Sequence, residues 1–306
     1  MIEMRARQRG VALIVALLVV ALATVLIAAL LDRGELANAR TRNTLREMQA
    51  ESYARGLEDY AAHVLNQTQT SADSSNSVWA VPLPPTPVPG GEISATMTDL
   101  NGRFNLNNLA IDSQPQGQGD WQEIFRRLLI ALKLDVNLEQ NVVDWMNTDS
   151  STSDGWYVAQ AVPYRRGQRI FSQVSELRLV KGFDGDTYAK ILPYVAALPV
   201  NTSINVNTAS VPVLMTLSLN MTEQSAAAIW QQGHANFSSV NDLQTQQRIA
   251  IDYFSRYSIS SNYFLAHCDV VLDGLPFTFY SVIERSTGSP GASGGTHVLL
   301  RNRGGD

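Results

Sequence analysis

The segment VVDWMNTDSSTSDGWY holds the densest set of side chains able to do chemistry: Asp144, Asn147, Asp149 and Asp154 fall within eleven residues. All four offer hard oxygen atoms on a stretch rich in Ser with a Gly. Calcium takes this donor type, gathering about 6–8 oxygens with backbone carbonyls among them. The segment is not an EF-hand, because the D-x-D-x-D-G spacing and the closing Glu are absent. A solvated loop in which Asp144 caps or hydrates a helix end uses the same residues, so two readings stand. Elsewhere the inventory is thin. His63, His234, His267 and His297 are scattered, no HExxH occurs, and Cys268 adjoins only one of them. Gly291-Ala292-Ser293-Gly294 lacks the strand-to-helix setting of a nucleophile elbow, and there is no P-loop or GxGxxG. These residues point to no enzyme and no organic cofactor.

Composition narrows the classes further. The 306 residues carry a net charge of −5 and are 45% apolar, ordinary for a globular chain. Such an acidic balance gives no electrostatic reason to expect nucleic acid, which needs a concentrated basic face. Cys268 is the single cysteine, so no intrachain disulfide forms and a Cys-based zinc site lacks thiolates. It reads as a small buried hydrophobe.

The elements that must position these residues begin with an apolar run. Val11 to Leu31 contains no charge, and Thr24 is its only polar side chain. At 1.5 Å per residue it spans about 30 Å, the hydrocarbon thickness of a bilayer. Before it stands a basic leader, MIEMRARQRG. A secretory signal peptide has a similar start but a shorter apolar stretch. Loop charge does not fix the orientation, since Arg33, Arg40, Arg42 and Arg46 follow the span. From residue 32 to 66 no Pro occurs, and Leu45, Met48, Tyr53, Leu57, Tyr60 and Val64 recur at near-helical spacing. One helix of about 55 residues, some 80 Å long, is predicted, apolar in its first half and amphipathic in its second.

Residues 67–118 read as a Ser- and Pro-rich linker (VPLPPTPVPGG) followed by a hairpin. Its strands are Ile93 to Leu100 and Arg103 to Leu106, with Asn101-Gly102 as a type I′ turn. From 119 to 255 the pattern is helical. Trp121, Ile124, Phe125, Leu128, Leu129 and Leu132 mark one helix face, and Glu139 to Met146 another helix. SQVSELRLVKG ends at a capping Gly182, Asn207 or Thr208 is expected to cap one short helix, and Thr222 the next. Residues 256–306 return to strand, Tyr257 to Leu272 and Leu275 to Glu284, joined by an Asp273-Gly274 turn, with His297 to Arg301 as an edge. The fold class is therefore α+β.

A leader ending in Gly10 before an apolar helix that starts at Val11 resembles the signal of type IV pilins and pseudopilins. The resemblance implies that a prepilin peptidase cuts after Gly10 and methylates Val11. Most of that family has Glu at the fifth mature position, pairing with a neighbour's amine in the lipid. Here Val15 stands there. A carboxylate is costly in hydrocarbon and is kept only where a partner awaits it. The missing Glu, with GRFNLN, DWxxxD, SELRLV, ILPYVAALP and NVNTAS in order, resembles the minor pseudopilin K family of type II secretion systems.

That family implies a long helix packed on a small antiparallel sheet, with a large all-α insertion of SAM-like and helix-hairpin-helix-like subdomains. It also implies calcium at the loop, usually DW-x-D-x-D and then Gly-Ala-Glu, with Glu176 reaching the same site. This chain departs from the pattern at Asn147 and at Asp154-Gly155-Trp156. The implied setting is the bacterial inner membrane, a single pass with the C-terminal domain in the periplasm. The implied partners are the minor pseudopilins I and J at the pseudopilus tip. Ala12, Ala16, Ala21, Ala23 and Ala28 would allow close helix packing there. A signal-anchored periplasmic module that binds calcium or a ligand is the alternative. INVNTASVPVLMTL also resembles a helix-hairpin-helix unit, as in a minor pilin for DNA uptake. Against that use, Ser218–Met221 has no Gly, and Lys and Arg are absent from 201 to 247.

Overall fold

The computed structural model describes residues 3–68, 72–112, 119–149, 154–286 and 295–303, with side chains from Val11 onward. It divides into two units, Met1–Tyr53 and Ala54–Asp306. The first unit is helix, the N-terminal part of α1 (Glu3–Gln67). Every side chain from Val11 to Leu31 in it is exposed.

In the second unit, the end of α1 is followed by strands β1 (Leu83–Val88), β2 (Gly91–Asp99) and β3 (Phe104–Asn105). Helices α2 (Leu109–Asp112), α3 (Asp120–Ala131), α4 (Leu138–Met146), α5 (Gly155–Val158) and α6 (Gly185–Ile191) come next, then the short strands β4 (Val195–Ala196) and β5 (Ile204–Asn205). Helices α7 (Val211–Leu214), α8 (Glu223–Trp230) and α9 (Val240–Gln247) lead to strands β6 (Tyr257–Ser258), β7 (Tyr263–Leu272), β8 (Leu275–Ser286) and β9 (Gly295–Arg303).

The main sheet has the order β1-β2-β7-β8-β9, antiparallel throughout. Its buried face meets Leu57, Ala61 and Leu65, spaced four apart on one stripe of α1, together with Trp79, Phe264, Ala266, Cys268 and Ile283. Cys268 is buried there, as a small hydrophobe should be, and burial pushes its thiol up to about 12. Glu58, buried on the same stretch of α1, is fully engaged. Arg301 Nε donates to both its oxygens at 3.0 and 2.8 Å, and the Ser281 hydroxyl donates to one of them.

Three sequence expectations are corrected here. Asn101-Gly102 is not a hairpin turn: β2 pairs with β1 and β7, whereas β3 pairs in parallel with β4 in a separate sheet. Asn101 serves as a tie. Its Oδ1 accepts from Tyr263 N at 2.9 Å and Asn262 N at 3.2 Å, and its Nδ2 donates to the Ser203 carbonyl at 3.1 Å. Gly102 is needed for close approach, since a Cβ there would lie 2.7 Å from the Thr208 carbonyl oxygen. Within the Pro-rich linker, Leu83–Val88 form strand β1, paired with β2 at the sheet's edge, where Pro's missing N–H is tolerated. Neither Asn207 nor Thr208 caps a helix, because α7 starts after Ser210. Thr222 does cap α8, accepting from Ser225 N at 3.1 Å.

The helical block encloses one contiguous core, including Phe104, Trp121, Phe125, Leu128, Leu177, Leu214, Phe237 and Leu243. It is built from two modules on one plan, residues 104–196 and 204–258. Each opens with an x-Asn-x-Asn segment, Phe104-Asn105-Leu106-Asn107 or Ile204-Asn205-Val206-Asn207, whose first two residues form a strand (β3 or β5) that pairs in parallel with β4 or β6. The first Asn folds an Asx turn, with Asn105 Oδ1 accepting from Asn107 N at 3.1 Å and Asn205 Oδ1 from Asn207 N at 3.0 Å. The second Asn clamps a distant Phe backbone. Asn107 accepts from Phe171 N at 2.7 Å and donates to its carbonyl at 2.9 Å, and Asn207 does the same to Phe237 at 2.8 and 3.1 Å. Each clamped Phe begins a matching stretch, FSQVSEL at 171–177 and FSSVNDL at 237–243. Arg127 of α3 joins the modules, donating to Glu123 at 3.2 Å and to Asp252 at 2.9 Å.

Candidate functional sites: the apolar helix and the acidic loop

Gly10 and Val11 both lie within α1. From Val11 to Leu31 the helix is apolar all round, and such a surface is stable only against lipid or other chains. Its one polar side chain is satisfied internally, with the Thr24 hydroxyl donating to the Ala21 carbonyl at 2.8 Å. The backbone groups are satisfied as in any helix, so nothing along Val11–Leu31 resists hydrocarbon. Among the described residues this is the one helix long and apolar enough to cross a membrane.

The acidic loop starts where α4 stops. Val142, Val143, Trp145 and Met146 pin α4 to the core, and at its C-terminal end the Asn147 N–H donates to the Val143 and Asp144 carbonyls. Arg166 adds further donors there. Its side chain is 1% exposed, and its Nη1 donates to the Asp144 carbonyl at 2.6 Å and the Asn147 carbonyl at 3.1 Å. Nη2 reaches the Asp149 carbonyl at 3.4 Å, and Nε meets Asp154 Oδ1 at 2.7 Å. That bond holds the Asp154 carboxyl below the usual carboxylate range. Guanidinium also suits the negative end of the α4 dipole. The turn that carries Arg166 fits closely: Gln168 N donates to the Trp145 carbonyl at 2.9 Å, and a Cβ on Gly167 would stand 2.7 Å from Trp145 Nε1.

The nominated ligands are thus placed as follows. Asp144 Oδ1 accepts from Gln140 Nε2 at 2.8 Å, outside the guanidinium's circle, while its backbone carbonyl lies within it. Asn147 Oδ1 accepts from Asp149 N at 2.8 Å. Asp154 is bound to Arg166, and residues 150–153 lie outside the described residues. Glu176 serves as a cap. Its Oε1 accepts from Ser172 N at 2.8 Å and Gln173 N at 3.2 Å, and its Oε2 pairs with Arg169 at 3.0 Å. Asp242, the matching residue of the second module, likewise accepts from Ser238 N, at 3.2 Å, beside no such loop. Among the described residues no three Asp, Glu, His or Cys side chains converge as metal ligands. Among the described residues, the carbonyls of Asp144, Asn147 and Asp149 and one carboxylate oxygen of Asp154 are taken by a fixed guanidinium, an arrangement that does not fit calcium. Sequence reasoning missed Arg166. Its signal was the basic pair Arg165-Arg166 just past the acidic stretch.

A second buried polar cluster, also missed, seams the sheet to the second module. Asp73 and Arg285 form a buried ion pair, with Trp79 Nε1 donating to Asp73 at 3.0 Å and Arg285 lying 4.9 Å over the Phe264 ring. Asp99 accepts from the Ser261 and Thr208 hydroxyls, from Asn205 Nδ2 at 3.1 Å and from Asn101 N at 2.8 Å. Burial outweighs these bonds and pushes its carboxyl up to about 6.

Comparison with known proteins follows these features. Residues 102–200 and 204–254 match two family models, both described as type II secretion system (T2SS), protein K. The chain is 34% identical to the type II secretion system protein K of Pseudomonas aeruginosa, over 98% of this chain and 94% of the relative. It is 33% identical to that of Klebsiella pneumoniae, over 92% and 94%. A solved structure, the GspK-GspI-GspJ complex from the enterotoxigenic Escherichia coli type 2 secretion system, contains a chain similar at TM-score 0.74 and 25% identity, covering 87% of this chain and all of that one. With 34% identity sustained over 98% of its length, and with an apolar N-terminal helix that fits a single-pass anchor, this chain belongs to the type II secretion system protein K family, and is a pseudopilin.

Proposed function

We propose that this protein is the minor pseudopilin at the tip of a type II secretion pseudopilus, where it helps start assembly with the I and J pseudopilins for export of folded proteins. The observation that carries this reading is the apolar helix with Val15 in place of a carboxylate. A subunit that needs no partner above it in the membrane has no use for a buried charge there. The solved relative, named for its complex with GspI and GspJ, supports the choice of partners. The bulk of the two-module block supports the tip, since a repeating filament lattice has little room for it. In this reading the anchor sits in the bacterial inner membrane, the second unit is periplasmic, and prepilin peptidase cuts after Gly10 and methylates Val11.

Mass spectrometry of the mature N-terminus tests processing: a methylated Val11 is expected, and retention of Met1 would sink the pseudopilin role. Co-purification of the full chain with its I and J counterparts tests the place in assembly. A stable complex is expected, and its absence counts against the tip.

A further inference from the structure

We propose that Arg166 is the built-in cation at the end of α4, so that this pseudopilin holds Asn147, Asp149 and Asp154 in place without a divalent metal. The loop offers what a cation site offers, namely backbone carbonyls from Asp144, Asn147 and Asp149 turned to one point and a carboxylate from Asp154 beside them. The group at that point is a guanidinium with a 1% exposed side chain. Its rigid planar fork meets several oxygens at once from fixed directions, unlike the compact point charge of an ammonium.

Asp154 is the carboxylate set against the guanidinium, Asn147 brings a neutral amide, and the Asp144 carboxylate accepts from Gln140. A divalent ion entering the same ring of oxygens would have to expel a buried arginine or sit against its charge, and both are costly. The Arg166-Gly167-Gln168 turn seats the arginine from outside the loop. Gly167 passes close over Trp145, and Gln168 is bonded to the Trp145 carbonyl. The second module gives an internal control, because Asp242 performs the Glu176 capping bond where no acidic loop exists. Glu176 therefore needs no metal to account for its position. This inference concerns the loop alone and stands whether or not the subunit sits at a tip.

The full chain in detergent, stripped with EGTA, tests it without any substitution. Its melting temperature should stay within about 1 °C on adding calcium chloride, a shift too small for specific binding to the native state. Terbium should show no saturable luminescence sensitised by Trp145 and Trp156. A calcium-dependent rise in melting temperature, or saturable terbium binding that calcium displaces, would overturn the proposal. Arg166→Ala should lower the melting temperature by at least about 5 °C and open the loop to protease, and an unchanged melt would equally overturn it. If that variant does not fold, Asp154→Asn reads the same contact through a smaller drop, and the absence of any drop counts against the arginine's role.

Discussion

The two modules of the helical block solve one folding problem with different amounts of chain. In the first, 64 positions separate the clamping Asn107 from its Phe171; in the second, only 30 separate Asn207 from Phe237. Both clamps make the same pair of bonds to a Phe backbone, so the frame does not depend on what is inserted between them. The longer module spends its extra residues on α4, the acidic loop and the arginine turn. A loop of that length has large conformational entropy to lose, and a buried, many-bonded cation is one way to hold it. The shorter module has no such loop and carries no counterpart of Arg166. The difference teaches that the acidic residues belong to the insert, not to the frame.

The most damaging test of this comparison lies in the clamps. Asn107→Ala removes three bonds, to Phe171 N, Phe171 O and Leu198 O, and leaves buried backbone groups unpaired. A loss of about 3–5 kcal/mol is expected, against about 2–4 for Asn207→Ala, which removes two. Hydrogen exchange resolved by module should show each loss largest in its own module. Uniform loosening of both would break the idea of two independent frames.

A pH test sharpens the seam to the second module. Asp99 has its carboxyl pushed up to about 6, above its unfolded value near 3.9. The folded state therefore binds the proton more tightly. Its contribution is fully present below about pH 4 and is lost as pH rises through 6, amounting to about 2–3 kcal/mol at most. Unfolding free energies of wild type and Asp99→Asn, followed from pH 4 to 7, should diverge across that window. Parallel curves would show that Asp99 does not titrate there.

Gly167→Ala is expected to cost about 1–3 kcal/mol by forcing a methyl onto Trp145. Protease sensitivity should appear in the first module's loop and leave the second module intact. The smallest effect, about 1 kcal/mol, is expected for Thr222→Ala, which removes the cap of α8. A thermal melt that separates the modules would assign that loss to the second.

The apolar helix, the heptad-like stripe of α3 and the Asp273-Gly274 turn were legible because each rests on local rules. Asp273 and Gly274 have φ of 49° and 78°, the positive values a type I′ turn requires, and Leu272 pairs with Leu275 across it. Asn101-Gly102 carries the same local signal but answers to distant partners, Tyr263 and Thr208, which no window of sequence reveals. The acidic loop was legible as a cation-seeking segment. The identity of its cation was not, because Arg166 lies 22 residues from the carbonyl it meets most closely. Residues 204–207 and 104–107 carried the plan of the modules in plain view, yet their meaning lay in bonds to Phe237 and Phe171.

Strand β1 gives the sheet an asymmetric rim. Three of its six residues, Pro84, Pro85 and Pro87, have no N–H to offer. An incoming strand finds a gapped row of donors on that side, and growth by strand addition is blocked there. The opposite rim, β9, contains no proline and keeps its donors, with Arg301 and Arg303 among its side chains. Strand addition is thus discouraged by chemistry on the β1 rim, while on β9 the Arg301 guanidinium is already held by Glu58.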